Sequence, residues 1–472
     1  MVFSSVIFLF FFLPVTLAGY YIVPSLKWKN IWLLIASLFF YFWGGSAFFP
    51  VIIFSIVVNY LSGLLIYKTD GNVKRFFMII AVFLNLLNLG YFKYAGFLMT
   101  TIRDITHIQI EIPEILLPIG ISFFTFQGMS YVLDVYRGKE VQKNILYLGL
   151  YIALFPQLIA GPIVRYGEIE KQITVRPHSV EGFAEGIRIF CIGLAKKAVI
   201  ANSLAIVCDP IMDSDPKGNT AVIAWIGIIY YTLQLYFDFS GYSDMAIGLG
   251  RMFGFTFPQN FNYPYISRSP SEFWRRWHMS LSAWFKDYVY IPLGGSRRGN
   301  VYINLFIVFL LTGVWHGASW NMIIWGIYWG ILVIGHKFFK NVIGSETKDN
   351  SPVKTVVSHI LMAFCILIGW VFFRAPNISH AIDYLKVMFG SYNSGWKQFD
   401  VSYYIHKYEL FILILAVFAM LPVGKKMAED LKNRISPVWY SLICSVFTIV
   451  LFGISILYVV TETYNPFIYF RF

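Results

Sequence analysis

Between Arg298 and Lys337 the chain carries no aspartate, glutamate, lysine or arginine. A continuous helix over that stretch would rise roughly 55 Å at about 1.5 Å per residue. The hydrocarbon of a bilayer is only about 30 Å thick. The segment therefore predicts a hairpin, turned near Gly313 to Gly317 within TGVWHGASW (312–320). Irregular backbone at membrane depth is tolerated only where it is buried in protein or lines a wet cavity. His316, in the middle of that turn, is thus expected to face protein or a cavity rather than lipid.

The rest of the composition agrees with a membrane protein. Of the 472 residues, 58% are hydrophobic, 19% aromatic and only 13% charged, against about 25% charged in a soluble domain. The net charge of +12 fits basic loops on the cytoplasmic side of a membrane, and nucleic-acid binding is not expected. Cys191, Cys208, Cys365 and Cys444 are scattered singly, with no metal-ligand or redox spacing, so no metal site is expected. The opening MVFSSVIFLFFFLPVTLAGYYIVP has its first positive charges, Lys27 and Lys29, after its apolar run. It reads as a retained first span with its N-terminus outside.

Apolar segments recur along the whole chain, which reads as one all-α, polytopic membrane domain over residues 1–472 without an internal repeat. Lys68, Lys74 and Arg75, then Arg137, Lys139 and Lys143, and the basic stretch from Arg251 to Arg298 are expected inside, as is the 424–434 loop. Asp209, Asp213 and Asp215 are expected outside, and so is the aromatic tail 461–472. FPQLIAGPIVRY (155–166) interrupts its apolar run with Pro156, Gly161 and Pro162 and reads as a re-entrant piece.

Three places hold residues that could carry chemistry. An imidazole within a membrane is expensive unless paired, and its ordinary pKa suits proton transfer. From position alone His316 serves either as such a group or as a structural partner to a carbonyl across a helix interface. In SEFWRRWHMSLSAWFKDYVYIPLGG (271–295), Trp277, Leu281, Trp284, Tyr288 and Ile291 recur at helical spacing. They predict an interfacial amphipathic helix over about 271–291 with its aromatic side in the membrane. His278 flanks that stripe. Its basic residues form either a headgroup-facing surface or a mouth that attracts an anionic substrate. In LYFDFSGYSDMAIGLGRMFGF (235–255), Asp238 and Asp244 need partners or water, and an ion pair with an arginine such as Arg251 or Arg276 is expected.

These stretches, with PIGISFFTFQGMSYVLDVYRG (118–138), NFNYPYIS (260–267) and the closing NPFIYFRF, resemble the membrane-bound O-acyltransferase family. Within it they are most similar to the bacterial branch containing the membrane subunit of alginate O-acetylation. The resemblance covers nearly the whole chain and is most specific over 260–320. It implies a fold of about eleven to thirteen transmembrane or re-entrant helices around a central tunnel. His316 matches the histidine the family retains as catalytic, and His278 the second histidine of the bacterial branch.

The resemblance further implies a protein of the bacterial cytoplasmic (inner) membrane that takes acetyl from acetyl-CoA and passes it across. Acetyl-CoA is the donor, with no bound cofactor. Extracytoplasmic serine-esterase-like partner proteins would place the group on a polysaccharide acceptor. Arg275, Arg276, Lys286, Arg297 and Arg298 would favour the anionic donor, and Tyr469 in FIYFRF would be a possible acyl relay or an interfacial anchor. Two other functions are open: D-alanyl transfer to teichoic acid, and a non-enzymatic transporter or flippase using intramembrane histidines. The latter commonly shows paired repeats, which this sequence lacks.

Overall fold

A computed structural model describes residues 1–343, 351–391 and 399–461, which form helices and connecting loops with no strand among them. Tyr469 and the tail beyond Thr461 lie outside the described residues. Among the described residues, seven helices are long and apolar enough to cross a membrane, or eight if the bent pair Lys407–Ala419 and Val423–Arg434 is one span. Other apolar runs form shorter helices such as Phe8–Ile22 and Val301–His316.

By contact the chain divides into two compact units, Met1–Phe190 with Tyr242–Gln259, and Cys191–Gly241 with Asn260–Phe472. In the first unit, the segment expected to be re-entrant is broken as its prolines and glycine predict. Helix Ile145–Ala153 is followed by the single turn Phe155–Leu158, and the chain is then non-helical as far as Arg165. The stretch is buried, so its backbone must find protein partners. The Ser37 hydroxyl accepts from the Phe155 N–H at 3.1 Å, and the Tyr151 hydroxyl donates to the Val164 carbonyl at 3.0 Å. Arg176 ties the same unit together. It donates to the Tyr20 hydroxyl, the Asn30 amide oxygen and the Phe253 carbonyl, and lies 4.2 Å from the Phe255 ring centre.

The second unit holds the residues of interest. Helix α1 (Val180–Asp213) enters it through a π-helical stretch, Lys196–Ala201. Helix α2 is Ala221–Met252, α3 Pro270–Arg276, α4 Met279–Phe285, α5 Val301–His316, α6 Trp320–Ile343 and α7 Pro352–Arg374. Helices α5 and α6 form the expected hairpin, with the turn at Gly317–Ser319. A β-carbon on Gly313 would overlap the Met322 carbonyl oxygen and lie 2.9 Å from the Gly326 Cα. The two glycines thus let the helix backbones touch, as small residues do in membrane helix pairs. Gly317 has φ −162°, ordinary extended backbone, so the turn itself does not require it.

The single amphipathic helix expected over 271–291 is instead two short helices and a π turn, opened at His278. That residue has φ 44° and ψ 53°, in the left-handed region. The cause is pairing with a neighbouring segment. The Asn262 N–H donates to the Arg276 carbonyl and the Met279 N–H to the Asn260 carbonyl, each at 2.9 Å. Trp277, Leu281 and Trp284, expected to face lipid, are buried inside the protein. Ser269 caps α3 by accepting from the Glu272 N–H.

Candidate active site

His316 ends α5 and is 5% exposed. Aromatic edges and faces enclose it. Its ring centre lies 5.0 Å from Trp325 and 5.2 Å from Phe373, both near-perpendicular, and 4.9 Å from Trp315. Beyond Trp325 the wall continues into Trp370, which meets Trp277 at 5.0 Å, while Phe273 stacks on Trp329 at 5.1 Å. Rigid aromatic walls of this kind hold shape with little side-chain freedom. Trp320, by contrast, is 51% exposed at the start of α6 and forms no wall.

His278 is fully buried. The fold brings its ring to 6.5 Å from that of His316 and 4.7 Å from the edge-on Phe239 of α2. The left-handed backbone at His278 makes this approach possible by turning the chain between α3 and α4. A non-glycine residue in that region is uncommon, and such conformations concentrate at functional sites. Burial pushes the His278 pKa down to about 3, so the imidazole is neutral across the physiological range.

Two cavities have linings that include residues close to His316, though neither histidine lines either one. One, of about 260 Å³, is walled by Trp274, Leu281, Phe285 and Phe309, reaches Thr312 one turn before His316, and carries Arg275 and Lys286 at its rim. The other, of about 340 Å³, begins at Gly317 and Phe373, the residues flanking His316 in chain and space, and includes Asp209, Gln234 and Arg374. In it Arg374 donates to Asp209 at 3.1 Å and pairs with Asp213 at 2.6 Å.

The sequence-selected basic residues thus divide. Arg275 and Lys286 share one cavity. Arg276 turns to Glu272 at 3.0 Å and to the Asn262 carbonyl, and Arg297 and Arg298 are exposed in the loop before α5. Asp238 has a partner, but it is Lys197 at 2.5 Å rather than an arginine. Arg251 pairs with Glu185 instead. The sequence alone gave no reason to select Asn260, Phe239, Trp325 or Phe373, because their roles arise from contacts across the unit.

A family model for the membrane-bound O-acyltransferases matches residues 142–375, which include both histidines and all but one of the residues lining the two cavities. A "Probable alginate O-acetylase AlgI" of Pseudomonas putida is 38% identical over the full length of both chains. The chain belongs to the membrane-bound O-acyltransferase family. It is a multi-pass membrane O-acyltransferase, requiring an acyl donor and an acceptor hydroxyl. A peptidoglycan O-acetyltransferase of Helicobacter pylori is 37% identical, covering 83% of this chain and 80% of its own. A teichoic acid D-alanyltransferase of Bacillus subtilis is 32% identical, covering 59% of this chain and 72% of its own. The family's members thus share a framework across different acyl groups and acceptors.

Proposed function

We propose that the protein takes acetyl from cytosolic acetyl-CoA and passes it through the membrane for O-acetylation of an extracytoplasmic polysaccharide of the alginate type, in the bacterial cytoplasmic membrane. The observation that carries this reading is the buried approach of His316 and His278 to 6.5 Å, together with a cavity edged by Arg275 and Lys286 that reaches Thr312, one turn before His316. Cations at a cavity rim attract a polyanionic donor such as coenzyme A, and Arg297 and Arg298 in the adjoining loop add to that field. The names of the alginate and peptidoglycan relatives support acetyl as the group and a glycan as its destination.

In this mechanism the acceptor hydroxyl attacks the thioester carbonyl. His316 takes the hydroxyl proton as the C–O bond forms. The C–S bond then breaks, and the proton passes to the departing coenzyme A thiolate. His278 assists in this proton traffic. Tyr469 is the candidate first acceptor, its phenol oxygen carrying acetyl as an ester. Serine-esterase-like partners outside the membrane would take the group onward to the polysaccharide.

The test is the fate of radiolabelled acetyl-CoA with purified protein in liposomes, comparing wild type, His316→Ala and Tyr469→Phe. Label leaving coenzyme A only when His316 is intact supports acetyl transfer. Base-labile label on the protein that disappears in Tyr469→Phe supports the relay. No release from acetyl-CoA, but release from a D-alanyl carrier thioester, would replace the donor. Release from neither, with extracytoplasmic partners supplied, would favour transport.

A further inference from the structure

The hydrogen-bond pattern around His278 fixes which of its nitrogens carries the proton. Three groups converge on the Asn260 Oδ1: the Ser280 backbone N–H at 3.3 Å, the Ser280 hydroxyl at 2.8 Å and the His278 Nδ1 at 3.1 Å. A backbone N–H can only donate, so the amide atom facing it is the oxygen and not the NH₂ group. The His278 Nδ1 facing the same oxygen must then carry a hydrogen. A neutral imidazole has one N–H, which leaves Nε2 with a bare lone pair. Nε2 is buried and has no hydrogen-bond partner among the described residues. The opposite tautomer would set two lone pairs against each other at Asn260 and leave a buried N–H unmet at Nε2, each unfavourable.

We propose that Asn260 is a positioning residue for acyl transfer, locking His278 in the Nδ1–H tautomer so that Nε2 meets the reaction centre as a proton acceptor. This rests on the reading that the two histidines form that centre. Asn260 is well placed for the task. Its carbonyl accepts from the Met279 N–H, so the same residue holds both the left-handed backbone and the ring of His278. The rings of Phe239, Trp315 and His316 also lie beside the imidazole. Asp238, beside Phe239 on α2, is ion-paired with Lys197.

With ring centres 6.5 Å apart, the two histidines are too far apart for a direct hydrogen bond of about 3 Å. A single oxygen between them would bridge the gap. A substrate oxygen placed there would donate a hydrogen bond to the bare Nε2, which cannot donate one in return. It can protonate a leaving thiolate only after it has taken a proton itself, at Nε2, with the Nδ1–H still held by Asn260.

The test is nitrogen-15 magnetic resonance of histidine-labelled protein in lipid bilayers, with the His278 signals identified by their loss in His278→Asn. The expected spectrum at neutral pH shows Nδ1 protonated and Nε2 bare. Asn260→Asp keeps an acceptor oxygen and should keep that pattern, whereas Asn260→Leu should lose it and lower kcat about 100-fold, with the donor KM little changed. A protonated Nε2 in wild type would overturn the assignment whether or not any variant folds. So would an Asn260→Leu protein with the wild-type pattern and kcat. The spectrum needs no substrate, so absence of acetyl release from wild type would instead overturn the reading on which the inference rests.

Discussion

Lys197 and Asp238 meet in an ion pair at 2.5 Å with both side chains almost wholly withdrawn from solvent. One lies on the π stretch of α1 and the other on α2, directly before Phe239, whose ring touches His278. The pair therefore fixes α2 where it contacts the site. Removing one member of a buried pair leaves a stranded charge and costs about 3–5 kcal/mol, whereas replacing both by apolar residues is often tolerated. Lys197→Met is expected to lower thermal stability in detergent strongly, and Lys197→Met with Asp238→Leu to recover much of it. Unchanged melting of Lys197→Met would show that the pair is not an anchor.

His316→Ala should reach the membrane at the parental level and lose acetyl transfer by about 10²–10⁴-fold, the usual worth of a general base. For His278 the better variant is asparagine, because asparagine tolerates a left-handed backbone. His278→Asn should remain folded while losing most activity. Both are read by turnover of labelled acetyl-CoA, normalised to protein in the membrane. Parental turnover in His316→Ala would remove that residue from the chemistry.

Arg275 and Lys286 are exposed at a cavity rim, where their charges act on substrate capture. Replacing both with glutamine should raise the donor KM by about tenfold, an amount consistent with losing roughly one charged hydrogen bond, and leave kcat nearly unchanged. The wild-type KM should also rise with added salt, and the double variant should be less sensitive. Steady-state kinetics at two ionic strengths give both comparisons.

Gly313→Ala puts a methyl group against the Met322 carbonyl oxygen and the Gly326 Cα. Neither can move aside as a flexible side chain would. Overpacking of this kind costs about 1–3 kcal/mol. The melting temperature should fall, and activity should fall further because His316 lies less than one turn away. Gly317→Ala meets the Met322 side chain instead and should be milder.

The neutral, buried His278 links stability to pH. The unfolded chain binds a proton on this ring below about 6.5, while the folded protein resists it down to about 3. The unfolded state therefore holds more protons in that window, and stability is lost as pH falls through it. The melting temperature of wild type should decline from pH 6.5 downward, and the decline should be shallower in His278→Asn.

The hairpin and its buried histidine were legible because they follow from chain length against membrane thickness. The break in 155–166 was legible because proline and glycine act locally. The break at His278 was not. Trp277, Leu281 and Trp284 keep helical spacing across it, and no glycine or proline marks it; the backbone of 260–262 opens the helix from outside. Asp238 announced its need for a partner but not its identity, since Lys197 lies on another helix and only the fold supplies the distance. Nothing in the sequence singles out Asn260, because its importance lies in which atoms converge on one oxygen.

The contact between Gly313 and Gly326 also makes α5 a ruler. Its sixteen residues span about 24 Å from the basic loop to His316, and the fixed crossing removes any slack along the way. Adding one residue between Asn300 and Gly313 would turn everything before it by about 100° rather than lower the imidazole. A framework of this kind can accommodate a different acyl group by exchanging wall side chains, but it cannot move the depth at which transfer takes place.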